Sequence, residues 1–322
     1  MIVFRDVSEV PADFGTSVVA IGKFDGVHTG HRSVLQRAAV DAAGTGARVV
    51  AVTFDRNPLS ILHPEKCPES LIGLDHKLAL LADTGIDAAL VLRFDEARAA
   101  QEATDFVDEV LVGALSARTV FVGDDFRFGR GGLGSAESLR DLGHERGFRT
   151  EIVGDVRAAH DARRVSSSWI RDLLSAGDVE SATKLLGRAP SVSGEVVHGL
   201  KRGRELGFPT ANLGGEIEGY IPADGIYAGW LIDTPPHGTS AAGGVRYPAA
   251  ISVGTNPTFD DVPERSVEAY VLDEVDLDLY GHAVDLRFVS RIRGMVAFEG
   301  IDALIAQMHD DVERTRLILA HG

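Results

Sequence analysis

The chain has 322 residues, of which 44% are hydrophobic and 25% are charged, a composition typical of an ordinary globular protein. At roughly 150 residues per domain, this length predicts about two domains, each able to bury its own core. The net charge of -16 and the sequence pI near 5.1 argue against a surface that tracks the phosphates of long nucleic acids, although backbone amides can still hold small phosphate ligands.

The N-terminus and the single cysteine indicate the compartment. Residues 1–10 lack the apolar core of a signal peptide, and no later apolar run approaches the ~20 residues of a membrane span. We therefore expect a cytoplasmic protein without a membrane partner. Cys67 is the only cysteine, which excludes an intramolecular disulfide, and we expect a half-buried free thiol.

The first part of the chain, up to about residue 186, alternates short apolar runs with helical stretches. Strands are predicted at residues 17–21, 47–54, 88–94, 119–122 and 149–152, and helices at residues 31–43, 74–81, 104–115 and 135–146. This alternation is typical of a parallel α/β sheet, whose ligands bind at the carboxyl ends of the strands.

From residue 191 the pattern changes to short segments rich in β-branched and aromatic residues, separated by Gly, Pro and Asn. Strands are predicted at residues 194–197, 226–232, 248–253, 266–272 and 283–289. Their spacing indicates an antiparallel barrel or sandwich. Residues 300–319 have the apolar period of a helix, which we expect to pack against the barrel.

The boundary between the two patterns follows a helical segment at residues 179–186, which ends in Gly-Arg-Ala-Pro. We therefore predict two domains, residues 1–186 and residues 187–322. Residues 235–238 and 241–244 resemble the tip of a loose hairpin rather than a linker.

A glycine-rich string, from Gly22 to His31, follows the first long apolar strand and opens a helix. Its glycines let the backbone approach a ligand, and the free N–H groups of the helix start attract phosphate. His28 and His31 are three residues apart, so we expect them on one face of the first turn. There they can donate hydrogen bonds to the charge that develops when an α-phosphate is attacked. The alternative is a glycine-rich turn with two solvated histidines.

Two further segments are candidate parts of the same site. In residues 164–171, the hydroxyls of Ser167 and Ser168 at a helix start, followed by Arg171, suit the β- and γ-phosphates of ATP. A plain serine N-cap is the alternative. Residues 122–129, Val-Gly-Asp-Asp-Phe-Arg-Phe-Gly, follow a predicted strand and, taken alone, also fit an ordinary turn.

The strongest motif of the second half is a loop with three glycines at a spacing of four, Gly199, Gly203 and Gly207. It continues into Phe-Pro-Thr-Ala-Asn, in which Thr210 and Asn212 supply a hydroxyl and an amide oxygen. Mg²⁺ prefers oxygen ligands together with phosphate and water, so this pair makes a partial shell. The string lacks G-K-[ST] and therefore does not imply a P-loop. The alternative is a glycine-rich hairpin with asparagine in a turn.

Glu268 lies in a predicted strand, where alternation puts Glu268, Tyr270 and Leu272 on one face. A lone glutamate in a strand is usually solvated. Arg291 lies in Arg-Ile-Arg, and solvated arginines are one interpretation of that segment.

These motifs carry two family resemblances, which together span about residues 18–319. Residues 22–31 resemble the G-x-F-D-G-x-H-x-G-H signature of the flavin-adenylylating branch of the nucleotidylyltransferase superfamily. Residues 199–212 resemble the riboflavin kinase signature G-x-x-x-G-x-x-x-G-F-P-T-A-N. Residues 122–129 are similar to the first family's pocket-lining segment, and residues 164–171 to its pyrophosphate-clamping loop, with Ser168 in place of a threonine.

The resemblances imply a Rossmann-like first domain, a riboflavin kinase-like barrel and specific residue roles. In the first domain, the resemblance implies that His28 and His31 stabilise the transition state. It implies ATP and flavin contacts for Gly22, Phe24, Asp25, Gly30, Asp125, Ser167, Ser168 and Arg171. In the barrel, Glu268 is implied as the general base on the ribityl hydroxyl, and Thr210 and Asn212 as the Mg²⁺ ligands. ATP and flavin contacts there are implied for Gly199, Lys201, Gly203, Gly207, Phe208 and Arg291.

The sequence departs from the resemblance at Arg56 and Asn57, where the family usually has proline and histidine. The change could alter ligand affinity, or Arg56 could add a phosphate contact.

We expect a bifunctional enzyme that uses ATP and Mg²⁺ to convert riboflavin to FMN and FMN to FAD. One alternative is a riboflavin kinase with a degenerate first domain. The other is a non-catalytic flavin-binding sensor or carrier. Small molecules are the expected partners, without nucleic acid, and self-association as a homo-oligomer stays open.

Overall fold

The computed structural model describes residues 1–157, 163–199, 207–234, 244–254, 265–274 and 277–321. The chain forms two compact units. The first comprises Met1–Glu69 and Leu74–Ser166, and the second comprises Ser70–Gly73 and Ser167–Gly322. This structural division differs from the boundary at residue 186, which stays a prediction for where the two activities separate.

The first unit is built on a parallel sheet with flanking helices. Its strands are β1 Ile2–Phe4, β2 Ser17–Ile21, β3 Arg48–Phe54, β4 Ala88–Leu92, β5 Ala117–Gly123, β6 Arg127–Phe128, β7 Gly134–Ser135 and β8 Arg149–Val153. Its α-helices are α1 Thr29–Ala42, α2 Leu59–Leu62, α3 Leu74–Ala82, α4 Glu96–Ala100, α5 Ala103–Phe106 and α6 Ala136–Arg146. Three short 3₁₀ segments cover Val7–Glu9, Pro64–Lys66 and Arg130–Gly132.

The six main strands lie in the order β1-β4-β3-β2-β5-β8 and all pair in parallel. Every residue of β2 and β4 is buried, as expected for parallel strands covered on both faces. The chain runs outward from β2 through β3 to β4 and then returns to place β5 on the other side of β2. The topological switch point, where ligands of such sheets bind, therefore lies between β2 and β5.

The predicted parallel α/β architecture of this unit is confirmed, although several short elements, among them α2, α4, β6 and β7, were not predicted. The stretch predicted as one helix at residues 104–115 begins as α5 and continues as a π-helix over Val107–Ala114. Strand β1 was not predicted, because three residues at the sheet edge give no periodic signal.

The second unit is a closed antiparallel barrel with helices. Its strands are β9 Ser191–Val197, β10 Thr210–Glu218, β11 Gly225–Thr234, β12 Val245–Gly254, β13 Ser266–Val271 and β14 Ala283–Arg293. Its helices are α7 Ser167–Ala176, α8 Val179–Leu186 and α9 Ile301–Ala320. The strand order around the barrel is β10-β13-β12-β11-β14-β9. Of the two architectures that the sequence predicts, barrel and sandwich, the structure shows the barrel.

Strand β10 was not predicted, because Thr210 and Asn212 directly follow a glycine-rich loop. Residues 235–238 and 241–243 of the predicted hairpin tip lie outside the described residues. Leu272 is buried in the turn after β13, whereas Glu268 and Tyr270 are half-buried within the strand. Cys67 is a half-buried free thiol, as predicted.

Helix α9 packs on the barrel, as predicted. Leu319 lies against Ala228 and Ile292 in one apolar cluster. The carboxylate of Asp311 accepts two hydrogen bonds from the guanidinium of Arg293, at 3.0 Å from Nε and 2.7 Å from Nη2. This paired, buried contact fixes the register of the helix on β14. Among the residues that the structure describes, no helix is long and apolar enough to cross a membrane.

Candidate active sites

The loop that follows β2 carries the first candidate site, at the switch point of the sheet. Phe24 and Val27 are buried and have φ values of 49° and 38°, a left-handed conformation that strains an L side chain. Packing around both side chains must hold this conformation. The loop therefore presents a fixed backbone shape between the end of β2 and the start of α1.

His28 and His31 form a stacked pair at the start of α1. His28 is the N-cap residue, and its Nδ1 accepts a hydrogen bond from the backbone N–H of His31 at 3.3 Å. The two ring centroids lie 3.6 Å apart with an interplanar angle of 16°. Because Nδ1 of His28 is an acceptor, a neutral ring carries its proton on Nε2. His28 is only 5% exposed, so the alternative of two solvated histidines is wrong.

His31 is held between His28 and the ring of Phe24, whose centroid is 5.3 Å away in an edge-on arrangement. Burial lowers the pKa of His31 well below its usual value of 6.5, and the electrostatic effects of His28, Arg164 and Lys77 add to this shift. The imidazole is therefore neutral at physiological pH. Its Nδ1 is buried and has no hydrogen-bond partner in the described part of the chain.

Two glycines of the motif allow close packing against aromatic rings. A Cβ atom on Gly30 would lie 3.1 Å from Cε1 and Nδ1 of the His28 ring. A Cβ atom on Gly22 would lie 3.3 Å from Cζ of Phe24. Both glycines thus let the motif's own aromatic side chains close over the backbone.

Lys77 reaches the same loop from α3, and it was not predicted as a site residue. Its Nζ donates to the carbonyl oxygen of Phe54 at 2.9 Å, and lies 3.4 Å from both the Lys23 carbonyl oxygen and Thr53 Oγ1. Burial lowers the pKa of Lys77, while Asp25 and Asp55 oppose this shift. Because a lysine in an amphipathic helix is usually solvated, the sequence around Lys77 did not predict its contacts with the loop.

Asp125 lies in the loop after β5, on the other side of the switch point. Its Oδ2 is 3.1 Å from Nη2 of Arg164, and that guanidinium also contacts Asp124 at 3.4 Å and Asp155 at 2.9 Å. Carboxylates thus surround Arg164, a residue of the 164–171 motif.

Ser167, Ser168 and Arg171 lie in the first turns of α7, which begins at Ser167. The predicted helix start is therefore confirmed. These three residues belong to the second compact unit, and their contacts to a phosphate stay a prediction.

Arg56 and Asn57 have local structural partners. Arg56 Nε lies 3.2 Å from Oδ2 of Asp55, and the Arg56 side chain is 53% exposed. Asn57 Oδ1 accepts a hydrogen bond from the backbone N–H of Leu59 at 3.1 Å, which stabilises the start of α2. The departure from the family pattern thus leaves a well-formed turn.

The second candidate site lies on the barrel around Glu268. Its Oε2 accepts a hydrogen bond from Thr210 Oγ1 at 3.1 Å, and its Oε1 accepts one from Ser266 Oγ at 3.0 Å. The pairing of β13 with β10 and β12 sets Glu268 opposite Asn212 and Ser252. Both carboxylate oxygens are therefore oriented by hydroxyl groups. Ser266 was not identified from the sequence, because a strand serine two residues from a glutamate is common.

Asn212 completes this polar group. Its Nδ2 donates to the carbonyl oxygen and to Oγ1 of Thr210, both at 3.2 Å, and its amide oxygen is an acceptor. A Cβ atom on Gly199 would lie 2.5 Å from Cγ of Asn212. The first glycine of the motif therefore lies directly against Asn212. Over the described ranges, no group of three or more His, Cys, Asp or Glu side chains is placed to hold a metal ion.

Phe208 is buried beside the site. Its ring lies edge-on to Tyr270 and to His309 of α9, with centroid distances of 5.2 Å and 5.0 Å. Gly207 has φ 87°, a conformation that favours glycine. Lys201 and Gly203, which the resemblance implies as ligand contacts, lie outside the described residues.

Arg291 makes contacts within the second unit. Its guanidinium donates to the carbonyl oxygens of Asp224 at 2.7 Å and Ala176 at 3.2 Å, and a Cβ atom on Gly177 would lie 2.7 Å from Nη1. Its buried Nε finds no partner among the residues with described positions. The geometry supports a role in joining the end of α7 to the barrel, and a ligand contact stays a prediction.

The fold and the two polar groups define a class of protein that joins an α/β phosphate-binding unit to an antiparallel barrel. Comparison with known families gives two matches along the chain. Residues 10–169 match the family described as FAD synthetase, and residues 186–319 match the family described as riboflavin kinase.

Relatives that match almost the whole chain are named for both activities. The bifunctional riboflavin kinase/FMN adenylyltransferase of Escherichia coli strain K12 is 35% identical, covering 95% of this chain and 93% of that protein. The protein of the same name from Bacillus subtilis strain 168 is 33% identical, covering 92% and 90%. The chain belongs to the bifunctional riboflavin kinase/FMN adenylyltransferase family.

A solved structure is similar over its whole length. The crystal structure described as a macrolide-efflux protein from Streptococcus pneumoniae is 30% identical, with a TM-score of 0.82 and coverage of 98% of both chains. That likeness extends the shared fold to both units. The family assignment rests on the two family matches and the bifunctional relatives.

Proposed function

We propose that this chain makes FAD from riboflavin in two steps, phosphorylation by the barrel and adenylylation of the resulting FMN by the α/β unit. One observation carries the proposal: a single chain holds both an ordered Glu268 carboxylate and a stacked histidine pair at a sheet switch point. A carrier of flavin needs neither group. Membership of the bifunctional family supports the same conclusion.

In the phosphorylation step, Glu268 accepts the proton of the ribityl 5′-hydroxyl. The oxygen then bonds to the γ-phosphorus of ATP, the bond from that phosphorus to ADP breaks, and ADP leaves. Thr210 and Ser266 orient the carboxylate, so a free lone pair on each oxygen can face the substrate. Since phosphoryl transfer depends mainly on positioning and charge neutralisation, fixed geometry around Glu268 is what the step requires.

The oxygen donors near Glu268 fit magnesium. Thr210 Oγ1 and the amide oxygen of Asn212 are hard ligands, and Mg²⁺ takes few protein ligands when it arrives with ATP phosphates. Bound there, the ion would neutralise charge on the γ-phosphate. Gly199 lies against Asn212, which supports a glycine loop that covers ATP. We assign further ATP and flavin contacts of this half to Lys201, Gly203, Gly207, Phe208 and Arg291.

In the adenylylation step, a phosphate oxygen of FMN bonds to the α-phosphorus of ATP, the bond to the bridging oxygen breaks, and pyrophosphate leaves. The N–H groups of His28 and of neutral His31 would donate to the charge that develops at the α-phosphate. A neutral imidazole donates without requiring protonation of the site. We assign the surrounding pocket to Gly22, Phe24, Asp25, Gly30 and Asp125, and the hold on pyrophosphate to Ser167, Ser168 and Arg171.

The boundary between the two activities is proposed at residue 186, and the enzyme is proposed to act in the cytoplasm, where its substrate ATP is present. Its ligands are ATP, riboflavin, FMN and FAD, with neither nucleic acid nor membrane as a partner.

The assignment can be tested by complementation between two inactive variants. Glu268→Gln is expected to lack the first step, and His28→Ala with His31→Ala to lack the second. Neither protein alone should turn riboflavin into FAD, whereas an equimolar mixture should do so through released FMN. FAD formation by either variant alone would overturn the residue assignment.

A further inference from the structure

A half-buried ammonium group, that of Lys77, lies beside the histidine loop without belonging to its sequence motif. Lys77 is the fourth residue of α3, and its side chain extends to the carboxyl ends of β2 and β3. Its Nζ contacts a carbonyl oxygen from each strand end, that of Lys23 just after β2 and that of Phe54 at the end of β3. Withdrawing a lysine ammonium group from water costs solvation free energy, so its position here requires an explanation.

The contacts of Lys77 form a closed polar connection between the strand ends. Thr53 is fully buried, and its Oγ1 donates to the Lys23 carbonyl oxygen at 3.1 Å while lying 3.4 Å from Lys77 Nζ. Lys23 immediately precedes Phe24, the strained residue whose ring packs on His31. Any movement of the Lys23 carbonyl group would therefore move the ring that holds His31.

The charge of Lys77 also acts on this site. Asp25, inside the motif, and Asp55, at the end of β3, both favour the charged ammonium. The same positive charge, with His28 and Arg164, helps to keep His31 neutral. Lys77 thus acts on the histidine pair through both backbone position and electrostatics.

We propose that Lys77 is a positioning residue for FAD formation, which ties the histidine loop to the end of β3. This inference rests on the proposed adenylylation by His28 and His31. It requires no contact between Lys77 and substrate.

The experiment compares FAD formation from supplied FMN in full-length wild type and three variants. Lys77→Met keeps the aliphatic stem and removes the charge and donors. Lys77→Arg restores both. Lys66→Met is the matched control, because Lys66 is exposed and lies in the same unit. Riboflavin phosphorylation is measured on each protein as an internal standard.

For Lys77→Met we expect a fall in kcat of at least ~10-fold, with riboflavin phosphorylation unchanged and with substantial recovery in Lys77→Arg. Loss of the ammonium also removes one cause of the lowered pKa of His31. The acidic limb of the pH profile for FAD formation should therefore move to higher pH in Lys77→Met. A merely structural role would not shift that limb.

The outcomes separate this inference from the function on which it rests. If wild type and Lys66→Met make no FAD, the proposed adenylylation fails. If they make FAD, and Lys77→Met has normal kcat and an unmoved acidic limb, Lys77 is not a positioning residue. A change in KM alone would also overturn the inference. Should Lys77→Met unfold at the assay temperature, Lys77→Gln, measured below its own unfolding temperature, is judged by the same criteria.

Discussion

The backbone N–H of His31 donates to Nδ1 of His28, and the two imidazole rings stack with centroids 3.6 Å apart. This hydrogen bond leaves the proton of a neutral His28 on Nε2, and both rings lie at a helix start, where anions are attracted. It also accounts for the tight space at Gly30, where a Cβ atom would lie 3.1 Å from the His28 ring.

The histidine pair is expected to serve only the second reaction. His28→Ala with His31→Ala should slow FAD formation from supplied FMN by at least ~100-fold, the scale of losing preorganised charge stabilisation. Riboflavin phosphorylation should be spared. The exposed His63 and His144 provide the control double variant. Normal FAD synthesis by the His28 and His31 variant would exclude the pair from the mechanism.

The buried, neutral state of His31 predicts a pH dependence of stability. Its pKa is lowered on folding, so the unfolded chain binds a proton below about 6.5 that the folded chain does not. The free energy of unfolding should therefore decrease as pH falls below 6.5, by at most about 1.4 kcal/mol per pH unit from this group.

Urea unfolding at pH 7.5 and 5.5 measures this effect. His31→Gln should lose less stability on acidification than wild type, whereas His144→Gln should behave like wild type because His144 is exposed on α6. Equal acid sensitivity in His31→Gln and wild type would show that His31 is not the titrating group.

Glu268 is expected to act as the base in the first reaction only. Glu268→Gln keeps size and hydrogen bonding but cannot take the ribityl proton, so riboflavin phosphorylation should fall by ~10²- to 10⁴-fold. FAD formation from added FMN should persist. Glu195→Gln, an exposed glutamate on β9, is the control.

Binding measurements show whether a loss of kinase activity in Glu268→Gln has a chemical or a structural cause. If riboflavin and ATP with Mg²⁺ still bind with near-normal affinity, the defect lies in the chemical step. A rate within a few-fold of wild type would reject Glu268 as base, and loss of all binding would make the glutamate structural.

The close approach of Gly199 to Asn212 predicts that a single methyl group disturbs the kinase. The Cβ atom of Gly199→Ala would lie 2.5 Å from Asn212 Cγ, so the amide must move. We expect at least a ~10-fold loss of riboflavin phosphorylation, with a higher Mg²⁺ requirement and unchanged FAD formation from FMN. Gly300→Ala is the control, since its Cβ atom would meet nothing within 4 Å. Equal activity of the two variants would contradict the assigned role of Asn212.

Much of the fold could be predicted because its signals are local. β2 is a buried and mostly apolar run, and its glycine-rich continuation indicates a loop whose backbone can approach a phosphate. The proximity of His28 and His31 was predicted from their spacing of three at a helix start, whereas the stacking of their rings was not. The barrel was indicated by short β-branched segments, and the comparison with known families confirmed both resemblances.

What the sequence did not reveal depends on contacts between distant segments. Lys77 meets Lys23 and Phe54 only because α3 packs beside the strand ends, and no pattern within its helix records this. Strand β10 was overlooked because Thr210 and Asn212 follow a glycine-rich stretch, although pairing with β13 makes them part of a sheet. The partner of Glu268 on β13, Ser266, became visible only from the side-chain geometry.

The central claim, two successive reactions by one chain, is tested most directly by incubating the pure protein with riboflavin, ATP and Mg²⁺ and separating the flavins over time. The account predicts that FMN appears first and is then converted to FAD, with one pyrophosphate released for each FAD formed. Omitting ATP should leave riboflavin unchanged. Accumulation of FMN without any FAD would contradict the role of the first unit, and riboflavin that stays unmodified with ATP and Mg²⁺ present would contradict the account as a whole.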